Sequence, residues 1–294
     1  MIRQWLSDNP GELALLRACG LDTVAGAFAY AGGEDLSKPG LGLRRRTRLH
    51  LADTAGREAV WYLKRYEAPP VSVRLRRWLT GRGGAGPAAV EFESIRRVRA
   101  AGVATMAALA VGQEADWLGV RRSYIVVSAV PGEALERCLA DYLRRHASDA
   151  AAMTAFNAAL VQLVAGLHAA GLAHRDLYAA HIFLDETAAG PKLYLIDLAR
   201  VFRPRWRTFR WRVKDLAQLK HSMPAAWVEP YWDGFLDAYL ESSTAMLGGV
   251  KCGSCCNLTT PKAAWQAAIE RKVAWMGRRN RQQATGNGQQ AGRP

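Results

Sequence analysis

The feature that most constrains how this chain can fold is a change of character at Pro131-Gly132. Upstream, β-prone segments at Leu41 to Leu51 and Ala59 to Tyr66 flank the turn-forming Asp53-Thr54-Ala55-Gly56, and Ser123 to Val130 is a further apolar β-prone run. Between them a Gly/Pro-rich stretch, Gly81 to Pro87, leads into Ala88 to Ala101, where Phe92, Ile95 and Val98 recur at helical spacing before Gly102 stops the pattern. Downstream the chain is Ala- and Leu-rich to about Gly171. There the spacing predicts two helices, the second from Ala151 to Ala170 with Phe156, Leu160, Leu163, Val164 and Leu167 on its buried face. Two short apolar runs, Ile182 to Leu184 and Leu193 to Ile196, meet at a turn around Ala189-Gly190-Pro191 and read as a small hairpin; the remainder is helical, ending in a basic helix near Pro261 to Arg279. The expectation is an α+β chain in two lobes: 1–130, an antiparallel sheet with one helix, and 131–281, mainly helical. The Gln/Gly-rich tail, 282–294, is expected to be disordered.

Half of the 294 residues are apolar, enough for one two-lobed enzyme or two small domains and incompatible with a disordered or fibrous chain. Forty basic against twenty-six acidic residues leave a formal charge of +14, which favours anionic partners without choosing among nucleotides, phosphorylated glycans, nucleic acid and acidic lipid. Met1 to Gly20 mixes Arg3, Asp8, Glu12 and Arg17 into its apolar residues, unlike a signal peptide, and no later run supplies the roughly 18 apolar residues that span a bilayer. A soluble cytoplasmic protein is the expectation. Five cysteines, with Cys19 and Cys138 isolated, do not make a disulfide framework.

The chemistry is concentrated in His174-Arg175-Asp176-Leu177-Tyr178-Ala179-Ala180-His181, followed by Leu193-Tyr194-Leu195-Ile196-Asp197. Phosphoryl transfer needs one carboxylate to accept the hydroxyl proton and another to hold the magnesium ion that bridges the phosphates. A catalytic loop of the H-R-D-L type and an aspartate closing the next strand supply both groups in kinases. Asp176 fits the first role and Asp197 the second, with His174 and Arg175 grouped with Asp176 in the catalytic loop. A kinase of this kind also needs a strand lysine on the α/β-phosphates of ATP and a helix glutamate to hold it. Lys64 in Val60 to Tyr66 is that lysine. Glu91 is favoured over Glu93 as its partner. No P-loop motif occurs, and Gly40-Leu41-Gly42 is the segment placed to cover the phosphates, against the alternative of a plain turn.

These residues give the sequence a resemblance to the lipopolysaccharide kinase (Kdo/WaaP) family, from about Leu36 to Arg279. The resemblance rests on Tyr62-Leu63-Lys64-Arg65-Tyr66, Gly102-Val103-Ala104-Thr105, His174-Arg175-Asp176-Leu177-Tyr178 with His181, and Ile196-Asp197-Leu198. Tyr178 and His181 stand where protein kinases acting on Ser/Thr carry lysine and asparagine. The resemblance implies a protein-kinase-like fold, ATP and Mg2+ as cofactors, and a sugar hydroxyl of a glycolipid, heptose or Kdo in a lipopolysaccharide core, as acceptor. It implies Asp176 as base, Lys64 with Glu91 as the nucleotide-positioning pair and Asp197 as metal ligand. His181 is grouped with the metal site, although an imidazole is a poor direct ligand for magnesium and could instead bond Asp176 or a metal-bound water.

Arginines and aromatics interleave from Arg200 to Arg212, which suits a phosphorylated glycan and would also suit single-stranded nucleic acid, although nucleic acid is not the expected partner. Asp215 reads as structural, bracing the loop from a helix start. Cys252, Cys255 and Cys256 lack the second ligand pair of a zinc site. The basic final helix, with Lys262, Arg271, Lys272, Arg278 and Arg279, could touch an anionic membrane surface at the inner face of the cytoplasmic membrane; a solvated face is the alternative. Two other readings stay open: a protein kinase of the same fold, and a non-catalytic pseudokinase that binds an anionic polymer or membrane.

Overall fold

The computed structural model describes residues 4–36, 44–52, 56, 58–68, 70–72, 75, 86–117, 119–246 and 260–290. The chain divides into two compact units, Met1–Ala100 with Thr105–Val130, and Ala101–Ala104 with Pro131–Pro294.

The first unit is built on an antiparallel sheet of β1 (Gln4–Leu6), β2 (Glu34–Asp35), β3 (Arg44–Ala52), β4 (Glu58–Glu67), β5 (Ala108–Asp116) and β6 (Gly119–Ser128), in the order β1-β5-β6-β4-β3-β2. Successive residues of a strand face opposite sides. Trp61 and Leu63 of β4 therefore share a face with Leu49 of β3 and Val126 of β6, and all are buried together with Leu16, Leu21 and Ala27. Leu16 and Ala27 belong to α1 (Pro10–Ala18) and α2 (Val24–Ala29), two helices that the sequence reading did not anticipate. α1 starts where the Asn9 side chain accepts from the backbone N–H groups of Gly11 and Glu12, with Pro10 in the first turn. Burying a leucine such as Leu49 or Leu63 contributes about 1.5–3 kcal/mol relative to leaving it in water. The opposite face carries Tyr62, Lys64 and Tyr66 and is covered by α3 (Pro87–Ala100) through Phe92 and Ile95. β5 was also missed: Ala-Leu-Ala-Val-Gly is weakly β-prone by itself and is a strand because β1 and β6 pair with it on both sides.

The second unit contains α4 (Leu135–Arg145), α5 (Ala150–Ala169), a hairpin of β8 (Ile182–Thr187) and β9 (Gly190–Leu195), then α6 (Thr208–Ser222), α7 (Ala225–Met246) and α8 (Lys262–Gln290). A two-residue strand, β7 (Glu133–Ala134), extends the hairpin. Gly132, at φ +80°, has to be glycine: a Cβ there would stand 1.9 Å from the carbonyl oxygen of Leu184. α5 is long and apolar enough to cross a membrane. Here its Phe156, Leu160, Leu163, Val164 and Leu167 are buried, and it packs on α7 and β9. Trp227, Phe235, Tyr239 and Trp265 of α7 and α8 complete that core. α8 continues to Gln290, so much of the tail expected to lack structure from Gln282 onward is helical.

Candidate active site

In the first unit, Lys64 and Glu91 form a buried ion pair, Nζ to Oε1 at 2.5 Å. The second carboxylate oxygen of Glu91 accepts from the Tyr66 hydroxyl at 2.9 Å, and Tyr66 lies under the guanidinium of Arg44 at 5.2 Å. Burial, then the Glu91 charge, pushes the Tyr66 hydroxyl well above its usual range, so it stays a proton donor to Glu91. Helix phase decides between the two glutamates: Glu91 points into the sheet, while Glu93 is exposed enough to pair with Arg96. Tyr66 was missed as a partner, yet its position two residues from Lys64 on a strand was the available signal. Lys64→Met, by leaving Glu91 buried and unpaired, is expected to cost about 3–5 kcal/mol in urea unfolding, and Lys64→Met with Glu91→Leu is expected to recover most of it.

In the second unit, the His174-Arg175-Asp176 loop is clamped by Asp215. Its carboxylate is fully buried and accepts from the backbone N–H of His174 at 2.7 Å and of Arg175 at 2.8 Å. The clamp holds Arg175 at φ +74°, a left-handed conformation costly for any residue with a Cβ. Asp215 does brace the loop, but from the middle of α6 rather than from a helix start. Behind it, His168 donates from Nε2 to Asp215 at 3.3 Å and accepts on Nδ1 from the Tyr239 hydroxyl at 2.8 Å, a consistent neutral tautomer. The Arg175 guanidinium lies over Phe202 and Trp211, at 5.4 and 5.6 Å, and the His174 ring donates to the Ile196 carbonyl at 3.0 Å. Both side chains thus shape the loop from behind.

Asp176 itself is only 19% exposed and faces cations that sequence reasoning did not connect to it. Arg200 Nη1 lies 2.7 Å from one carboxylate oxygen and Lys214 Nζ 3.9 Å from the other. Lys214 also donates to the Arg175 carbonyl, and burial draws its ammonium below the usual lysine range while Asp176 opposes the shift. Asp197 follows β9 in a left-handed conformation, φ +58°; its carboxylate makes no capping bond to the following 3-10 turn and is 45% exposed. His181 donates from Nδ1 to the Asp176 carbonyl at 2.7 Å, and its Nε2 lies 3.7 Å from Asp197. That gap is too wide for a hydrogen bond and suits a shared water. Among the described residues no three His, Cys, Asp or Glu side chains converge on a metal site. Asp197 alone fits magnesium, which is commonly held by one or two carboxylates with waters and substrate phosphates completing its shell.

The arginine-aromatic stretch is divided in its use. Phe202 and Trp211 pack edge to face, Phe209 packs on Trp265, and Arg212 is buried, donating to the His168 carbonyl at 2.8 Å. Trp206, 79% exposed, is left at the surface. Gly40, Gly42, Cys252, Cys255 and Cys256 lie outside the described residues.

Desolvation lowers the proton affinity of both His168 and His174 below the ordinary value of 6.5. The unfolded chain therefore takes up protons first as pH falls, so their stabilisation is full above about pH 6.5 and is lost below it. Thermal midpoints should decline as pH drops from about 7.5 to 5.5; a flat profile contradicts this.

An antiparallel-sheet unit with a strand lysine locked to a helix glutamate, followed by a mainly helical unit with an aspartate loop and a second aspartate after a hairpin, defines the protein-kinase-like fold. A solved structure of WaaP in complex with acyl carrier protein matches with a TM-score of 0.64 and 25% identity, over 93% of this chain and 98% of that one. The model of the lipopolysaccharide kinase (Kdo/WaaP) family matches residues 45–239, and the chain belongs to that family. It is 35% identical over 137 residues to the lipopolysaccharide core heptose(I) kinase WaaP of Pseudomonas aeruginosa, and 32% identical over the same length to that of Escherichia coli. Each alignment takes in 45% of this chain, and the chain spans about half, 51%, of the curated relatives it matches.

Proposed function

We propose that the chain is an ATP- and magnesium-dependent kinase that moves the γ-phosphate onto a sugar hydroxyl of a lipopolysaccharide core or related glycolipid, with heptose the first acceptor to test. The observation that carries this reading is the Asp215-clamped loop, which presents Asp176 between Arg200 and Lys214 in a chain of this family. Asp176 orients the acceptor hydroxyl and takes its proton. Lys214 supplies, from α6, a cation beside the base that Ser/Thr protein kinases carry at the position of Tyr178. Lys64, locked by Glu91, holds the α/β-phosphates. Asp197 would hold a magnesium ion, with His181 beside it, and such an ion would supply charge neutralisation at the phosphate oxygens. Heptose is favoured over Kdo because both of those relatives are lipopolysaccharide core heptose(I) kinases. The glycolipid acceptor puts the site of action at the inner face of the cytoplasmic membrane. The solved neighbour also makes acyl carrier protein a partner to seek, by mass spectrometry of the purified chain.

The test is transfer from γ-labelled ATP to purified core glycolipid bearing heptose, run beside a glycolipid with Kdo alone and a general protein substrate. Heptose-dependent labelling supports the proposal. Labelling of protein only moves the chain to the protein-kinase reading, and no labelling of any acceptor moves it to the pseudokinase reading.

A further inference from the structure

We propose that the surface formed by α6 and the part of α8 from Arg271 to Arg279, around Trp275, docks onto a bilayer containing anionic lipid. The described part of α8 from Arg271 to Arg279 carries Arg271, Lys272, Arg278 and Arg279 with no Asp or Glu among them, and Arg210 of α6 is exposed beside it. α6 packs along α8, with Phe209 against Trp265. On α8, Lys272, Trp275 and Arg279 fall at helical spacing on one side, while Trp265, Ile269 and Met276 are buried on the other. Lys272 Nζ lies 3.7 Å and the Arg279 guanidinium 5.5 Å from the centre of the Trp275 ring, which is itself 43% exposed. Arg210 of α6 stands close enough that its charge, like that of Arg279, acts on Lys272.

The first half of α8 is arranged differently. Lys262 pairs with Asp237 at 2.7 Å, Gln266 donates to Asp233, and Glu270 pairs with Lys220. Lys262, expected from sequence to belong to the basic face, is therefore spent inside the unit. The Trp275 end gathers like charges around an exposed indole, an arrangement that self-repulsion disfavours unless an anionic surface meets it. An indole flanked by long basic side chains suits the headgroup boundary: the ring and methylene stems enter the apolar edge while the cations reach lipid phosphates. A single aromatic platform makes a poorer track for a nucleic-acid strand, which stacks successive bases.

The experiment is co-sedimentation of the full chain with phosphatidylcholine vesicles, with and without phosphatidylglycerol. It needs no nucleotide, so its outcome is separate from that of the transfer assay. The wild-type chain is expected to bind the anionic vesicles, to release with salt, and to leave neutral vesicles unbound. Combined Lys272→Ser, Trp275→Ala and Arg279→Ser should weaken binding by at least roughly 25-fold, at about fivefold per cation. Arg137→Ser with Arg144→Ser removes the same charge from exposed, acid-paired positions on α4 and should retain binding. Lys272→Glu alone, a change on the helix surface, should weaken binding without altering the thermal midpoint. The proposal is overturned if the wild type ignores anionic vesicles, if the triple variant binds as the wild type does, or if the α4 pair weakens binding equally. It is also overturned if the triple variant loses affinity for a single-stranded oligonucleotide but keeps its affinity for vesicles.

Discussion

Asp176→Asn should lower phosphate transfer by about 10²–10⁴-fold, the range over which a positioned general base contributes. The amide keeps the shape of the side chain but cannot take the hydroxyl proton, and it gives up its charge to Arg200 and Lys214. Asp197→Asn should cause a loss of similar size, with one difference: raised magnesium should recover part of the activity of the Asp197 variant and none of that of the Asp176 variant. Neither change should move stability much. Asp197 is half exposed, and Asp176 pairs with an exposed arginine, a contact worth about 1 kcal/mol or less. Steady-state transfer rates with thermal midpoints for the same preparations check this. Asp176→Asn protein that transfers phosphate within a few-fold of wild type would falsify the assignment of the base.

Asp215→Ala is expected to destabilise the chain by about 3–5 kcal/mol in urea unfolding, as much as Lys64→Met. It removes the acceptor of one buried and one part-buried backbone N–H group, strands the His168 ring, and releases Arg175 from its left-handed conformation. Asp215→Asn leaves one acceptor oxygen where two are used and brings an amide N–H group against a backbone donor, so it should cost about 1–3 kcal/mol. Both variants should lose transfer activity even at temperatures where they remain folded, because the loop that carries Asp176 is no longer held. Retained activity in folded Asp215→Ala would mean that the loop keeps its shape through His174 and the Phe202–Ala173 bridge alone.

Asp176, Asp197 and Lys64 were legible in the sequence as candidates because each sits in a short local pattern, an H-R-D-L loop or an apolar strand, whose chemistry depends on residues a few positions away. The hairpin, the long helix α5 and the turn at Pro131-Gly132 were legible for the same reason, since periodicity and turn chemistry are local properties. Glu91 as the partner of Lys64, across 27 positions, and Asp215 as a brace of the loop, across some 40, were also anticipated, but Arg200 and Lys214, which reach Asp176 from a turn and a helix beyond the hairpin, were not, because nothing local ties them to it. α1, α2 and β5 went unread because short Ala- and Gly-containing segments have weak intrinsic preferences, and burial against the sheet or pairing on both edges decided their form.

The arginine-aromatic stretch shows the division most plainly. Its composition announced a basic, aromatic surface, yet packing withdrew Phe202, Phe209, Trp211 and Arg212 into the unit and left Trp206 outside. By itself the sequence determined the α+β fold class and offered Asp176, Asp197 and Lys64 as candidates for acid-base and phosphate chemistry, because those follow from residue type and short spacing. Only the tertiary structure decided which cations stand on Asp176, that Tyr66 shares Glu91 with Lys64, and which basic side chains are paired and which face outward, because desolvation and ion pairing depend on neighbours that the chain brings together only on folding.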